Sequence, residues 1–260
     1  MNVTGPKVYF AIHTPIGDIN FTQTTFSILV STLLIMLLAY IVTRPKHLCK
    51  RPSRLQVLVE KAVSMLYGLV ESTMGKHNLK FAPYIGTIFL ASIFGTLIGM
   101  TGIFRSATAD LSVTLAWALV TSVMVWYNNI KNFGFKAWLK GFTEPIVVMT
   151  PMNIVSEIAQ PISMAFRHFG NVAGGSVLTG LIYTALAGLT NLIFGWLPAE
   201  ILSCFPPVFS AGIPAFLSIY FDLFSGFVQA FVFSLLTMIY VGSACPPPEE
   251  LKADATAKEK

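Results

Sequence analysis

From Thr24 to Val42 the chain carries no charged side chain, closes on Thr43, Arg44 and Pro45, and is followed by further apolar stretches of similar length. In a helix, a run of about 20 apolar residues matches the ~30 Å hydrocarbon core of a bilayer. A chain built mainly of such runs cannot hide them from water within one small core. Apolar residues make up 54% of the sequence and charged residues 11%, with a mean hydropathy of +0.69, far from the balance of a soluble domain. The expected class is an all-α polytopic membrane protein, one membrane domain without a separate soluble part.

Met1 to Gln23 has no basic n-region, apolar h-region and small-residue cleavage site, so it is expected to persist as an outer N-terminal segment. Residues 24–43 form the first span. Residues 56–79 turn amphipathic, with Leu58, Ala62, Met65, Leu69 and Val70 interrupted by Glu60, Lys61 and Glu71, as for a helix lying on a membrane surface. Residues 82–128 read as a hairpin of two spans around the polar turn Arg105 to Asp110. Within residues 145–243, the segments ending near Thr190 and Gly242 exceed the ~20 residues of a perpendicular crossing, so each must tilt strongly, bend or break, with Pro161 a site for bending. The expectation is about five transmembrane helices plus one amphipathic surface helix, the last two spans long and strongly tilted, and a cytoplasmic tail from residue 244 to 260.

The net charge of +5 does not indicate nucleic acid, because Lys and Arg sit in loops without an aromatic-laced basic face. With the N-terminus outside, Lys7 and Arg105 fall outside, while the basic residues of 44–80, Lys131, Lys136, Lys140 and the tail lysines Lys252, Lys258 and Lys260 fall inside. The positive-inside rule favours that orientation. Cys49, Cys204 and Cys245 are widely spaced and read as structural thiols, and His13, His47, His77 and His168 form no HExxH or i, i+4 pair. No metal or cofactor is expected.

At 100° per residue, Glu157, Gln160, Ser163, Arg167, Asn171 and Gly174 fall within an arc of about 120°. A central Arg facing hydrocarbon costs ~2.5–3.5 kcal/mol even on a lenient scale, so this stripe must face protein, water or an ion path. On the last span, Ser218, Asp222, Ser225, Gly226 and Gln229 occupy an arc of about 100° by the same arithmetic. Asp222 is the only carboxylate in that span, where it can load, release or relay a cation. Set against this is a purely structural Arg167–Asp222 pair. Gly95 with Gly99 and Gly170 with Gly174 have the spacing of close helix packing, and Glu200, among prolines, reads as an outer-loop residue.

The stretch Pro161-Ile-Ser-Met-Ala-Phe-Arg167-His-Phe-Gly-Asn171, followed by Ala173-Gly174, resembles the signature of subunit a of the F-type ATP synthase. Asp222-Leu-Phe followed by Gln229-Ala-Phe resembles that family's last-helix pattern, and Ala109-Asp110-Leu-Ser-Val-Thr-Leu gives a weaker match. The resemblance implies a non-catalytic membrane stator with two half-channels serving a rotating ring of c subunits. Its partners would be that ring, the peripheral-stalk subunit b and the lipid bilayer of a bacterial plasma membrane. It implies Arg167 as the essential charge between the half-channels, Gln229 near it, Asp222 as outer relay and Glu157 as the inner acidic residue. Asn171, Ser176 and Ser218 join the path. Ser176 stands where several members carry an ionisable group, leaving Asp222 more of the outer relay. His168, one position from Arg167, points to another face for packing or a hydrogen bond.

Three other readings fit less well. A secondary transporter binding an anion at Arg167 predicts internal repeats with paired broken helices, and none is found. An intramembrane enzyme needs a nucleophile with a base or two facing carboxylates, and Ser163 has no histidine on its face. A structural assembly subunit leaves both polar stripes without a purpose.

Overall fold

The structure is a computed structural model that describes residues 8–14, 17–43, 54–101, 104–144, 146–194 and 219–248. A short antiparallel hairpin, β1 (Val8–Thr14) and β2 (Gly17–Thr22), precedes α1 (Gln23–Thr43). There follow α2 (Arg54–Met74), a 3-10 segment (Lys76–Phe81), α3 (Ala82–Met100), a 3-10 turn (Ala107–Ala109) and α4 (Leu111–Phe133). Then come α5 (Phe135–Gly141), α6 (Thr150–Phe194) and α7 (Ser225–Ser243), the last led by a π turn over Ile219–Phe224. Five described segments, Gln23–Thr43, Lys76–Met100, Leu111–Phe133, Val147–Leu189 and Ser225–Ser243, are long and apolar enough to cross a membrane. The chain is an all-α polytopic membrane protein. The strand hairpin is a feature the sequence did not announce. At 45 residues, α6 is about 68 Å long at 1.5 Å per residue, and it continues through Pro161 as one helix.

Residue sorting on α1 is inverted relative to a water-soluble helix. Its buried positions are Thr24, Ser27 and Ser31, whereas Leu29, Leu33, Met36, Leu37, Tyr40 and Ile41 are exposed. Small hydroxyl residues permit close approach inside, and large apolar groups face the surroundings, the arrangement a lipid solvent favours. Ser27 returns its hydroxyl proton to the Gln23 carbonyl, so the polar atom is satisfied within its own helix. Thr22 caps the start of α1, its Oγ1 accepting the Thr25 N–H at 3.4 Å.

The packing divides into two units. One comprises residues 1–31, 92–111 and 167–230. In it the turn after α3 is seated on α3 itself: Ser106 Oγ donates to the Gly95 carbonyl at 3.0 Å, and the Thr108 hydroxyl pairs with those of Thr96 and Ser106 at 3.0 and 2.9 Å. A Cβ on Gly99 would lie 2.7 Å from Ser106 Cβ, and one on Gly95 3.3 Å from Thr108 Cγ2. These two glycines therefore accommodate the turn rather than a second helix. Helix-to-helix approach occurs at Gly226 of α7, where a Cβ would meet Thr96 Cγ2 of α3 at 2.7 Å.

The other unit, residues 32–91, 112–166 and 231–260, holds an apolar cluster of Val70, Met74, Ala82, Ile85, Val125, Met238, Val241 and Ala244. Through Val70 and Met74, α2 joins this cluster while exposing Leu55, Val57, Leu58, Val63 and Met65. The carbonyls of Ala244 and Cys245, the two residues that follow α7, are met by side chains from elsewhere. Asn78 Nδ2 donates to the Cys245 carbonyl at 2.8 Å and to that of Met74 at 3.0 Å, His77 Nε2 lies 2.8 Å from the Cys245 carbonyl, and Asn132 Nδ2 donates to that of Ala244 at 2.8 Å.

Two outcomes follow from these contacts. Asn78→Ala removes a buried donor from two carbonyls, leaving His77 on one of them, and lowers stability by about 1–2 kcal/mol, measured as the unfolding midpoint of the purified complex in detergent. Gly226→Ala costs about 1–3 kcal/mol by overpacking, and adding Thr96→Ser, which removes the obstructing methyl, restores most of that loss in the same assay.

Candidate ion-translocation site

The middle of α6 has two faces. Pro161, Met164, Ala165 and His168, at i, i+3, i+4 and i+7, are buried, and this spacing is one stripe of a helix. Ser163, Arg167, Gly170, Asn171 and Gly174 are exposed on another. His168 is 0% exposed and its Nε2 lies 3.1 Å from the Ser92 hydroxyl of α3. Adjacent helical residues differ by 100°, so holding the imidazole inward turns the preceding guanidinium to the open face. Packing with a hydrogen bond, expected for His168, is what the structure has.

Asn171 connects α6 to α7: its Nδ2 donates to Oε1 of Gln229, which is 2% exposed. The buried Gln229 Nε2 has no hydrogen-bond partner among the described residues. Two sequence-predicted residues, Asn171 and Gln229, are thus brought together directly. Ser176 is exposed and donates to the Ala173 carbonyl at 2.8 Å, one turn back in its own helix. The backbone places Asp222 in the π turn, but its side chain lies outside the described set, as do Ser218, Glu200, Cys49 and Cys204. A π turn closes i→i+5 rings and rotates less per residue than an α-helix. The uniform 100° step used for Ser218, Asp222 and Gln229 therefore does not hold through Ile219–Phe224.

Close packing was expected of Gly170 and Gly174, and among the described residues a Cβ at either would meet nothing within 4 Å. Their small surface lies on the open face beside Arg167. Among the described residues, Arg167 makes no hydrogen bond or ion pair within the chain.

Glu157 belongs to the other unit and accepts a hydrogen bond from the Trp126 indole of α4. Trp126 was not singled out from the sequence. An aromatic residue near the end of a span ordinarily reads as an interface anchor, and only the fold pairs it with a carboxylate. Glu157 also lines a cleft of about 500 Å³ with Asn129, Trp138, Glu144, Asn153 and Ser156. Cys245 is buried just beyond α7, and burial pushes its thiol up against the opposing influence of Lys80, the Asn132 hydrogen bond and Lys131. That environment suits an inert structural thiol.

A family model described as the ATP synthase A chain matches residues 25–242, from the first turn of α1 to the last turn of α7. ATP synthase subunit a, sodium ion specific, of Propionigenium modestum is 32% identical over 278 residues, covering 96% of this chain and 88% of that protein. ATP synthase subunit a of Desulforamulus reducens is 32% identical over 209 residues, covering 80% and 73%, and ATP synthase subunit a 1 of Crocosphaera subtropica is 31% identical over 211 residues, covering 81% of each. With its apolar spans and the Arg167, Asn171 and Gln229 constellation inside the matched region, the chain belongs to the ATP synthase A chain family, the subunit a of F-type ATP synthases.

Proposed function

We propose that this chain is the stator of a rotary motor, carrying protons or sodium ions through two half-channels to and from the carboxylates of a turning c-ring. The observation that carries this reading is the open face of α6, where exposed Arg167 and Asn171 are flanked by Gly170 and Gly174, at which a Cβ would meet nothing within 4 Å among the described residues. Hydrocarbon against that face is costly, and a glycine pair one turn apart permits another helix to approach closely. A partner helix that brings a carboxylate answers both conditions.

Arginine suits the role because its guanidinium stays charged at any accessible pH, whereas a buried lysine can lose its proton. Opposite a carboxylate at ~4 Å and an effective dielectric of 20, it contributes ~4 kcal/mol, about three pKa units on the partner. A carboxylate arriving loaded therefore releases its ion beside Arg167. A permanent charge cannot relay the ion onward, which keeps the two half-channels apart. Asp222 serves the outer channel, with Ser218 and Ser176 as neutral oxygens along it, and Glu157 serves the inner one. Gln229 and Asn171 hold α6 and α7 together beside Arg167. The distribution of basic residues supports an N-terminus outside and a C-terminus in the cytoplasm of a bacterial plasma membrane, where the peripheral-stalk subunit b holds the stator fixed. The sodium specificity in the name of the Propionigenium modestum relative keeps sodium beside the proton as the coupling ion.

ATP-driven ion uptake into inverted vesicles provides the test, with assembly of the complex checked by its subunit content. Arg167→Ala and Arg167→Lys both abolish coupled uptake while leaving the complex assembled. Coupled pumping that survives Arg167→Ala would refute the stator reading and leave Arg167 a structural residue.

A further inference from the structure

The cleft beside Glu157 is built from the end of α4, from α5 and from the first turns of α6. Its wall is tied in place by Asn153, whose Nδ2 donates to the carbonyls of Phe142 at 2.9 Å and Glu144 at 3.1 Å. That one amide fixes the segment joining α5 to α6. Trp126 stands one turn before Asn129, a lining residue, on the same face of α4, and its indole N–H donates to Glu157 Oε1. Both side chains are half-buried. The carboxylate is therefore held from the α4 side while it lines a cleft whose walls are part polar, with Asn129, Glu144 and Asn153, and part apolar, with Phe133 and Phe142.

The chemistry of the holding group matters. An indole N–H is a donor only and carries no charge, so it orients the carboxylate without neutralising it. A lysine or arginine in its place would cancel the charge that an incoming cation meets. Among the described residues Glu157 forms no ion pair, whereas the other carboxylate of the cleft, Glu144, lies 3.6 Å from Lys140. Of the two acids, Glu157 is the one positioned by a neutral group.

We propose that Trp126 is a positioning residue for ion translocation, its indole N–H holding the Glu157 carboxylate at the wall of this cleft to receive a proton or a sodium ion from water. The proposal rests on the stator reading above and adds to it a residue and an aqueous access site. A tryptophan serving only as a membrane-interface anchor is the competing account, and it makes no use of Glu157.

A double-substitution cycle in the complete complex separates the two. Initial ATP-driven uptake into inverted vesicles is measured as a function of external ion, with a pH-sensitive dye and with radioactive sodium, for Trp126→Phe, Glu157→Gln and the pair. Trp126→Phe lowers uptake at sub-saturating ion by ~5–10-fold, the scale of one typical net hydrogen bond, and leaves the maximal rate within about twofold. In the Glu157→Gln background the same change has no further effect. Independent, multiplicative effects, or a Trp126→Phe rate equal to or above wild type, would overturn the proposal. If Trp126→Phe does not assemble, benzothienylalanine at position 126 keeps the ring shape, replaces N–H by sulfur and carries the same expected outcomes. Arg167→Ala run alongside keeps the two readings apart: if it abolishes uptake while the cycle is null, only the role of Trp126 falls.

Discussion

The costliest group in this chain is a guanidinium placed in the middle of an apolar helix, and the rotation of α6 about its axis decides where that charge goes. One buried contact sets the rotation locally: the His168 imidazole on the Ser92 hydroxyl. Turned by one residue, α6 would put Arg167 into the packed face and His168 where Phe169 now stands. The Asn171 to Gln229 hydrogen bond acts in the same sense one turn later, as it fixes α6 against α7 through a pair of neutral amides. Neutrality is useful there, because a second charge would compete with Arg167 for any carboxylate presented to it.

Polar residues hold this protein together in a way that a water-soluble core seldom requires. The inner contacts of α1 are threonine and serine, the turn after α3 is laced by the hydroxyls of Thr96, Ser106 and Thr108, and the end of α7 is met by two asparagines and a histidine. In hydrocarbon, apolar side chains gain little by leaving lipid for protein, so shape and hydrogen bonds decide which helices stay together. Every such hydroxyl or amide also needs a partner of its own, and back-bonding to the i−4 carbonyl, as in Ser27 and Thr96, meets that need locally.

The spans were legible because a bilayer leaves few options to long uncharged runs, and the α6 stripe was legible because an arginine there is expensive anywhere but one face. The placement of His168 away from Arg167 follows from the 100° step alone. Other features depend on partners that no local pattern identifies. Asn78 and Asn132 reach carbonyls more than a hundred positions away, and Trp126 looks like any interfacial aromatic until the fold brings Glu157 to it. The glycine pairs show a subtler limit. Small-residue spacing signals close approach without naming what approaches, so Gly95 and Gly99 receive a turn, while Gly170 and Gly174 receive nothing from the described residues. On α7, helical arithmetic assumed a constant step that the π turn over Ile219–Phe224 does not keep.

The clamp at the C-terminal end of α7 has a mechanical meaning. A rod gripped by several donors at one terminus behaves as a cantilever, and a sideways load anywhere along it appears as a bending moment at the grip. On the proposed stator reading, stiffness at that root decides whether torque from a turning partner is transmitted or lost as slip. The carbonyls of Ala244 and Cys245, held by Asn132, Asn78 and His77, form such a root although they touch no ion.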